Sequence, residues 1–159
     1  MYSVRREGQS WIALLGTNKL ATVDPETMEL TEIDLLRLDA RPRRVGRTSD
    51  GQIWYVDYAQ GYLGSYNPLT KKIREWKTPS ADAGPYAMAV DSKDRIWFVE
   101  TIPQPNRFVG FDPATESFFS QTDIPSGGGS VRHMVFDPQT DAIWFGTDTQ
   151  TIGRARLPD

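Results

Sequence analysis

The sequence predicts an all-β chain built from β-propeller blades. Three observations carry the prediction. Four tryptophans, Trp11, Trp54, Trp97 and Trp144, recur at spacings of 43, 43 and 47 residues, each inside the same short apolar pattern. An Asx-Pro step follows the first three, at Asp24-Pro25, Asn67-Pro68 and Asp112-Pro113, with Thr27, Thr70 and Thr115 just beyond. Pro fixes φ and the Asx side chain bonds back to nearby backbone, so each step reads as a tight turn. A third marker stands twelve residues before the tryptophan: Pro42, Pro85 and, in the last copy, Arg132.

Each period holds four short alternating runs, A to D. In the second copy they span 44–48, 52–57, 62–66 and 72–77, and in the third 86–91, 95–100, 108–111 and 117–122. Ser-Asp-Gly and Asp-Ser-Lys-Asp between A and B read as hairpin turns. No stretch sustains a helical period; 30–38 comes closest, but its start aligns with run D of the other copies. Four antiparallel strands in about 43 residues make one propeller blade. The blades span 2–37, 42–79, 85–123 and 131–157, within one domain over 1–159. The last has only A (131–137), B (142–146) and C (152–157), and so lacks its outer strand. Propellers close with roughly 4–8 blades, and an open arc leaves apolar edges bare. Two copies closing one ring, a compact four-bladed ring, or a piece of a longer protein would each resolve this. The preferred expectation is the first, with a second copy of the chain as partner.

Composition narrows the function. The 159 residues carry a net charge of −3, which argues against a nucleic-acid partner. No cysteine is present, so disulfides, Cys-bound metals and thiol catalysis are excluded. A single histidine excludes a two-His metal site within one copy. No run reaches the ~18–20 apolar residues of a membrane span, and the first residues lack a signal-peptide core. The expected location is cytoplasmic as encoded, or periplasmic if the chain belongs to a longer secreted protein.

The start of A lies beside the end of B in each hairpin. Counted back from the tryptophans, one column holds Tyr2, Arg43, Tyr86 and His133, facing Leu14, Asp57, Glu100 and Thr147. His133 can act as a base near neutral pH. A developing enolate would need an electrophile, from Arg43, Arg132, or a metal held by Glu100 and Asp57. The same residues also fit a structural role. His133 would then tie strand A to a neighbouring blade, Asp57 and Glu100 would cap loops, and Tyr86 would pack a wall. Arg37, Arg41, Arg43, Arg44 and Arg47 form a basic cluster, suited to an anion or to pairs with Asp39 and Glu75. The four repeated tryptophans read as core, as do Met28, Met88 and Met134, whereas Trp76 stands off the repeat as the one expected at the surface.

Phrases such as Ile-Trp97-Phe-Val-Glu100, Phe111-Asp-Pro-Ala-Thr115 and the closing Thr151-Ile-Gly-Arg-Ala resemble the virginiamycin B lyase (streptogramin B lyase) family. The resemblance runs over nearly the whole chain but half the family's usual seven-bladed length, and looks like the C-terminal half. It implies elimination on a cyclic depsipeptide, a histidine base and a nearby Mg2+. His133 matches the catalytic histidine's position. Thr147 stands where the family has a Mg2+-binding Glu, and Tyr86 where it has a second His. The alternative is a non-catalytic propeller that binds a small molecule or peptide through Arg43, Asp57, Tyr86, Glu100 and Arg132.

Overall fold

A computed structural model describes residues 3–6 and 9–158. Tyr2 lies outside the described residues. The described chain is all β, and its strands form antiparallel sheets that follow the sequence order. The first sheet joins β1 (Ser3–Arg6), β2 (Gln9–Leu14), β3 (Lys19–Val23) and β4 (Leu30–Asp34). The second joins β5 (Pro42–Arg47), β6 (Ile53–Asp57), β7 (Tyr62–Tyr66) and β8 (Ile73–Lys77). The third joins β9 (Pro85–Val90), β10 (Ile96–Glu100), β11 (Arg107–Asp112) and β12 (Ser117–Asp123). The last has three strands, β13 (Met134–Asp137), β14 (Ala142–Gly146) and β15 (Ile152–Arg156). These are propeller blades, the last without its outer strand. The chain divides into two compact units, Met1–Thr78 and Pro79–Asp159, with two blades in each.

The Asx turns form as the sequence predicts. The Asp24 carboxylate accepts the amides of Glu26 at 2.8 Å and Thr27 at 2.9 Å, and the Asn67 side-chain carbonyl accepts those of Leu69 and Thr70. Each turn then needs one residue at positive φ, and Met28 (φ 61°) and Lys71 (φ 60°) supply it. That conformation lifts Met28 to the surface, where it is 72% exposed, against the expectation of core.

Each unit has its own core. In the first, Trp11, Ala13 and Leu20 of one blade cluster with Val45, Ile53 and Tyr55 of the next, and Trp11 lies 5.7 Å from the Tyr66 ring. In the second, Trp97, Val99 and Phe108 cluster with Met134, Ile143 and Phe145, and Phe108 stacks on Phe145 at 6.1 Å. So the Trp-bearing face of one blade meets the face of the next that carries the residues flanking its own tryptophan. Close approach of ring to backbone sets strand C. A Cβ on Gly64 would fall 2.1 Å from the Tyr55 ring, and one on Gly153 2.2 Å from Phe145.

The tryptophans divide against expectation. Trp11, Trp54 and Trp97 are at most 3% exposed, but Trp144 is 38% exposed beside Val135 at 56% and Ile152 at 80%. Nothing in the described chain covers that face. Trp76, expected at the surface, is half-buried and stacks on Trp54 at 5.5 Å. Among the described residues no helix is long and apolar enough to cross a membrane.

Candidate functional site

Strand pairing breaks the expected column. Val135 lies opposite Trp144, but Gly46 lies opposite Trp54 and Ala89 opposite Trp97. The A–B turn of the last blade is one residue longer than those of the second and third. Two residues back along strand A, the position of His133 is therefore matched by Arg44 and Ala87, not by Arg43 and Tyr86. The second blade shifts register between Pro42 and Arg44, and the third between Phe98 and Glu100. Such a bulge re-aims side chains at a strand end. Strand β13 begins at Met134, three residues later than the sequence suggests, because Val131, Arg132 and His133 still belong to the preceding loop.

Arg43 is half-buried, with its guanidinium 5.9 Å from the centre of the Tyr58 ring. Tyr86 is half-buried at the start of β9.

Both candidate metal-binding carboxylates are fully buried. Asp57, at the end of β6, accepts through Oδ1 the amides of Arg41 (2.9 Å), Ala59 (3.1 Å) and Gln60 (3.2 Å). Its Oδ2 is buried without a hydrogen-bond partner. Glu100, at the same point of the third blade, accepts the Ser80 amide at 3.0 Å and the Ser80 hydroxyl at 2.5 Å. Arg107 donates to that hydroxyl in turn, at 3.2 Å. The two carboxylates belong to different compact units. A Mg2+ ion takes a near-octahedral set of oxygens, commonly one or two carboxylates with waters. The Asp57 Oδ2 accepts no hydrogen bond, whereas each Glu100 oxygen already accepts one. Among the described residues no group of three His, Asp or Glu side chains converges. Both carboxylates are instead engaged with loop amides and, at Glu100, a loop hydroxyl.

His133 and Arg132 are both exposed. They edge an open concavity of about 500 Å³, with Thr147 and Asp148 beside them and Val135, Trp144 and Ile152 as its apolar floor. Arg132 pairs with Asp148 at 2.8 Å, and their side chains are 60% and 45% exposed. An ion pair so open to water is worth about 0–1 kcal/mol, so it exchanges readily for another partner. Thr147 binds Thr151 and Thr149 through its hydroxyl, closing its own loop.

Part of the basic cluster is structural. Arg37 pairs with Glu75 at 2.7 Å and lies over the Tyr62 ring at 3.3 Å. Glu75 accepts the Tyr55 hydroxyl at 2.6 Å. Burial, then the hydrogen bond to Glu75, pushes that phenol far above its ordinary range. The sequence offers Glu75 as a partner for the arginines but not Tyr55, whose tip reaches it only across the glycine at position 64. Ser80 and Asp148 were equally invisible to sequence reasoning, since both lie in loops that carry no repeat marker.

No family model and no curated protein matches the chain. Solved structures do match its fold. A streptogramin B lyase is 20% identical with a TM-score of 0.76, over 99% of this chain and 53% of that one. Virginiamycin B lyase from Staphylococcus aureus is 20% identical with a TM-score of 0.77, over 99% and 55%, and a catalytically inactive histidine-to-alanine variant of it, with quinupristin, matches equally. Hydrazine synthase of Kuenenia stuttgartiensis is 12% identical with a TM-score of 0.82, over 98% and 45%. The chain spans about half the length of these structures. At such identities the likeness is one of fold.

Proposed function

We propose that this chain is a ligand-binding propeller segment of the streptogramin-lyase type. Arg132 and His133 are its recognition point for an anionic or aromatic small molecule or peptide. The observation that carries the reading is the exposure of these two polar side chains on the edge of an aromatic-floored concavity. Asp57 and Glu100, by contrast, are buried and engaged with loops. The solvated Arg132–Asp148 pair gives up little when a ligand carboxylate takes the guanidinium.

His133 is the only histidine, so its ring signal in a proton NMR spectrum is unambiguous. Titration with quinupristin and with simple aromatic carboxylates tests the reading. The expected result is a saturable shift of the His133 signal, with affinity reduced about tenfold in Arg132→Ala. A signal unmoved by every probe would overturn it.

A second reading is elimination, with His133 as base on a cyclic depsipeptide; an activity of that kind would confer antibiotic resistance. The fold likeness to virginiamycin B lyase and the exposure of His133 on the edge of the concavity favour it. Loss of turnover but not of binding in His133→Ala would separate this reading from the first. The carboxylate arrangement gives no support to a Mg2+ role within it.

A further inference from the structure

The Trp144 face of the last blade is exposed within the described chain. Inside each unit, the Trp face of one blade is covered by the residues flanking the tryptophan of the next: Ile53 and Tyr55 over Trp11, Ile143 and Phe145 over Trp97. The Trp144 face obeys the same pattern and has no such cover. Trp144 stacks with the Arg154 guanidinium at 5.4 Å, and Arg154 and Arg156 stand exposed on β15 beside it. Strand pairing places Arg154 opposite Trp144 and Arg156 opposite Ala142, so both arginines share the Trp face.

The first blade carries the counterpart face. Ile12, which flanks Trp11, is half-buried, although its neighbours Trp11 and Ala13 are buried on the other face. Through the pairs Ile12–Ala21 and Ala21–Glu32, that face extends outward to Glu32 and, one step along, Asp34. Their side chains are 45% and 75% exposed, with Lys19 bridging both. One face is therefore apolar near its tryptophan and basic on its outer exposed strand. The other is apolar near Ile12 and acidic on its outer strand.

We propose that a second copy of this chain is the occupant. The Trp144 face of each copy docks on the Ile12 face of the other, with Arg154 and Arg156 against Glu32 and Asp34. Three points favour a second copy over an unrelated partner. The two faces complement each other in polarity and in charge. They continue the blade-to-blade rule already obeyed within each unit. The chain also spans 53–55% of the lyase-type propellers it matches, so two copies supply the strands of one such ring. Two identical face pairs related by a two-fold axis close without leaving either face bare. The docked face includes Val135, Trp144 and Ile152, the floor of the concavity, so a second copy and a ligand lying on that floor would compete, and only the rim at Arg132 and His133 stays outside the contact.

Charge reversal with a mixing step provides the test, because it leaves the apolar cores untouched. One variant carries Arg154→Glu and Arg156→Glu; the other carries Glu32→Arg and Asp34→Arg. Light scattering reads the mass, and circular dichroism checks that each variant is folded. The wild type is expected near twice 18.0 kDa and each variant alone near 18.0 kDa. An equimolar mixture should return to the doubled mass, because both face pairs then regain opposite charge. A folded wild-type monomer at every concentration would overturn the proposal and leave the face to a blade of a longer chain. Variants that remain dimers alone, or that fail to reassociate when mixed, would overturn it as well.

Discussion

Trp97 and Trp144 stand at the same point of the repeat, in the second strand of the third and the last blade. Trp97 is 1% exposed and Trp144 38%. The difference does not lie in the two strands, which read Ile-Trp-Phe-Val-Glu and Ala-Ile-Trp-Phe-Gly. It lies in the neighbour: Trp97 has the last blade over it and Trp144 has no blade over it. Asp91, in the third blade's A–B turn, accepts the Trp97 indole N–H at 2.9 Å and the Arg95 side chain at 2.7 Å. Asp137, the last residue of β13, accepts the Thr140 hydroxyl at 2.6 Å and the Gln139 amide at 3.0 Å. Glu100 binds a loop twenty residues away in sequence, whereas Thr147 binds its own loop. Asp91 and Asp137 both bond within their own hairpins, but Asp91 holds the indole of its blade's tryptophan and Asp137 does not, while Glu100 alone of the four reaches a separate loop. A repeat fixes which face a residue occupies, but its energetic weight comes from what lies against that face.

Truncating the two tryptophans tests this contrast with the largest expected difference. Trp97→Ala removes a fully packed ring and should cost about 3–5 kcal/mol in urea unfolding. Trp144→Ala should cost less than about 1 kcal/mol when the chain is dilute and monomeric. Equal losses would break the comparison. Overpacking comes next. Gly64→Ala forces a methyl into the Tyr55 ring, and about 1–3 kcal/mol should be lost. Gly146 has open space at its Cβ position, so Gly146→Ala in the last blade should lie within about 0.5 kcal/mol of the wild type.

Polar links are expected to rank below these. Glu100→Leu leaves the Ser80 amide and hydroxyl without their acceptor, at a cost of about 1–3 kcal/mol, whereas Thr147→Val should cost about 0.5–1.5 kcal/mol. Hydrogen exchange at the Ser80 amide would show whether the loop comes loose in the Glu100 variant. The smallest effect concerns acid. The Thr140 hydroxyl, then the Gln139 amide, hold the Asp137 carboxyl below its ordinary range. Its contribution to stability is thus present above the unfolded value of ~3.9 and lost as pH falls through the folded one. Asp137→Asn should flatten the fall in Tm below about pH 4 and leave neutral pH nearly unchanged. An unaltered acid limb would show that this turn is not linked to folding.

The repeat made most of the fold legible. Strands β7 and β14 coincide with the runs read at 62–66 and 142–146, because apolar alternation between two turn signals has little freedom to slide. Three things were not legible. The column through Arg43, Tyr86 and His133 assumed equal A–B turns, and one extra residue in the last turn moved His133 by one place. Spacing from a tryptophan cannot tell an extra turn residue from a bulge. The exposure of Trp144 and Val135 depends on a neighbour that local pattern does not encode. Met28 was read from its side chain, although its place after the Asx turn demanded positive φ. At the site, the polar character of Arg132 and His133 is legible but their place is not: the sequence puts them at the start of a strand, and the structure puts them in the loop before it. The buried bonds of Asp57 and Glu100 were not legible either, since their partners come from loops without any repeat signal.

Hydroxyl-radical footprinting across a dilution series tests the central contrast most directly. Oxidation of Trp144 should run about tenfold faster than that of Trp97 at the lowest protein concentration, where one face is open and the other packed. As concentration rises, Trp144 should become protected while Trp11, Trp54 and Trp97 stay as they were. A Trp144 as protected as Trp97 at every dilution would contradict the account, because its face would then be covered within the single chain.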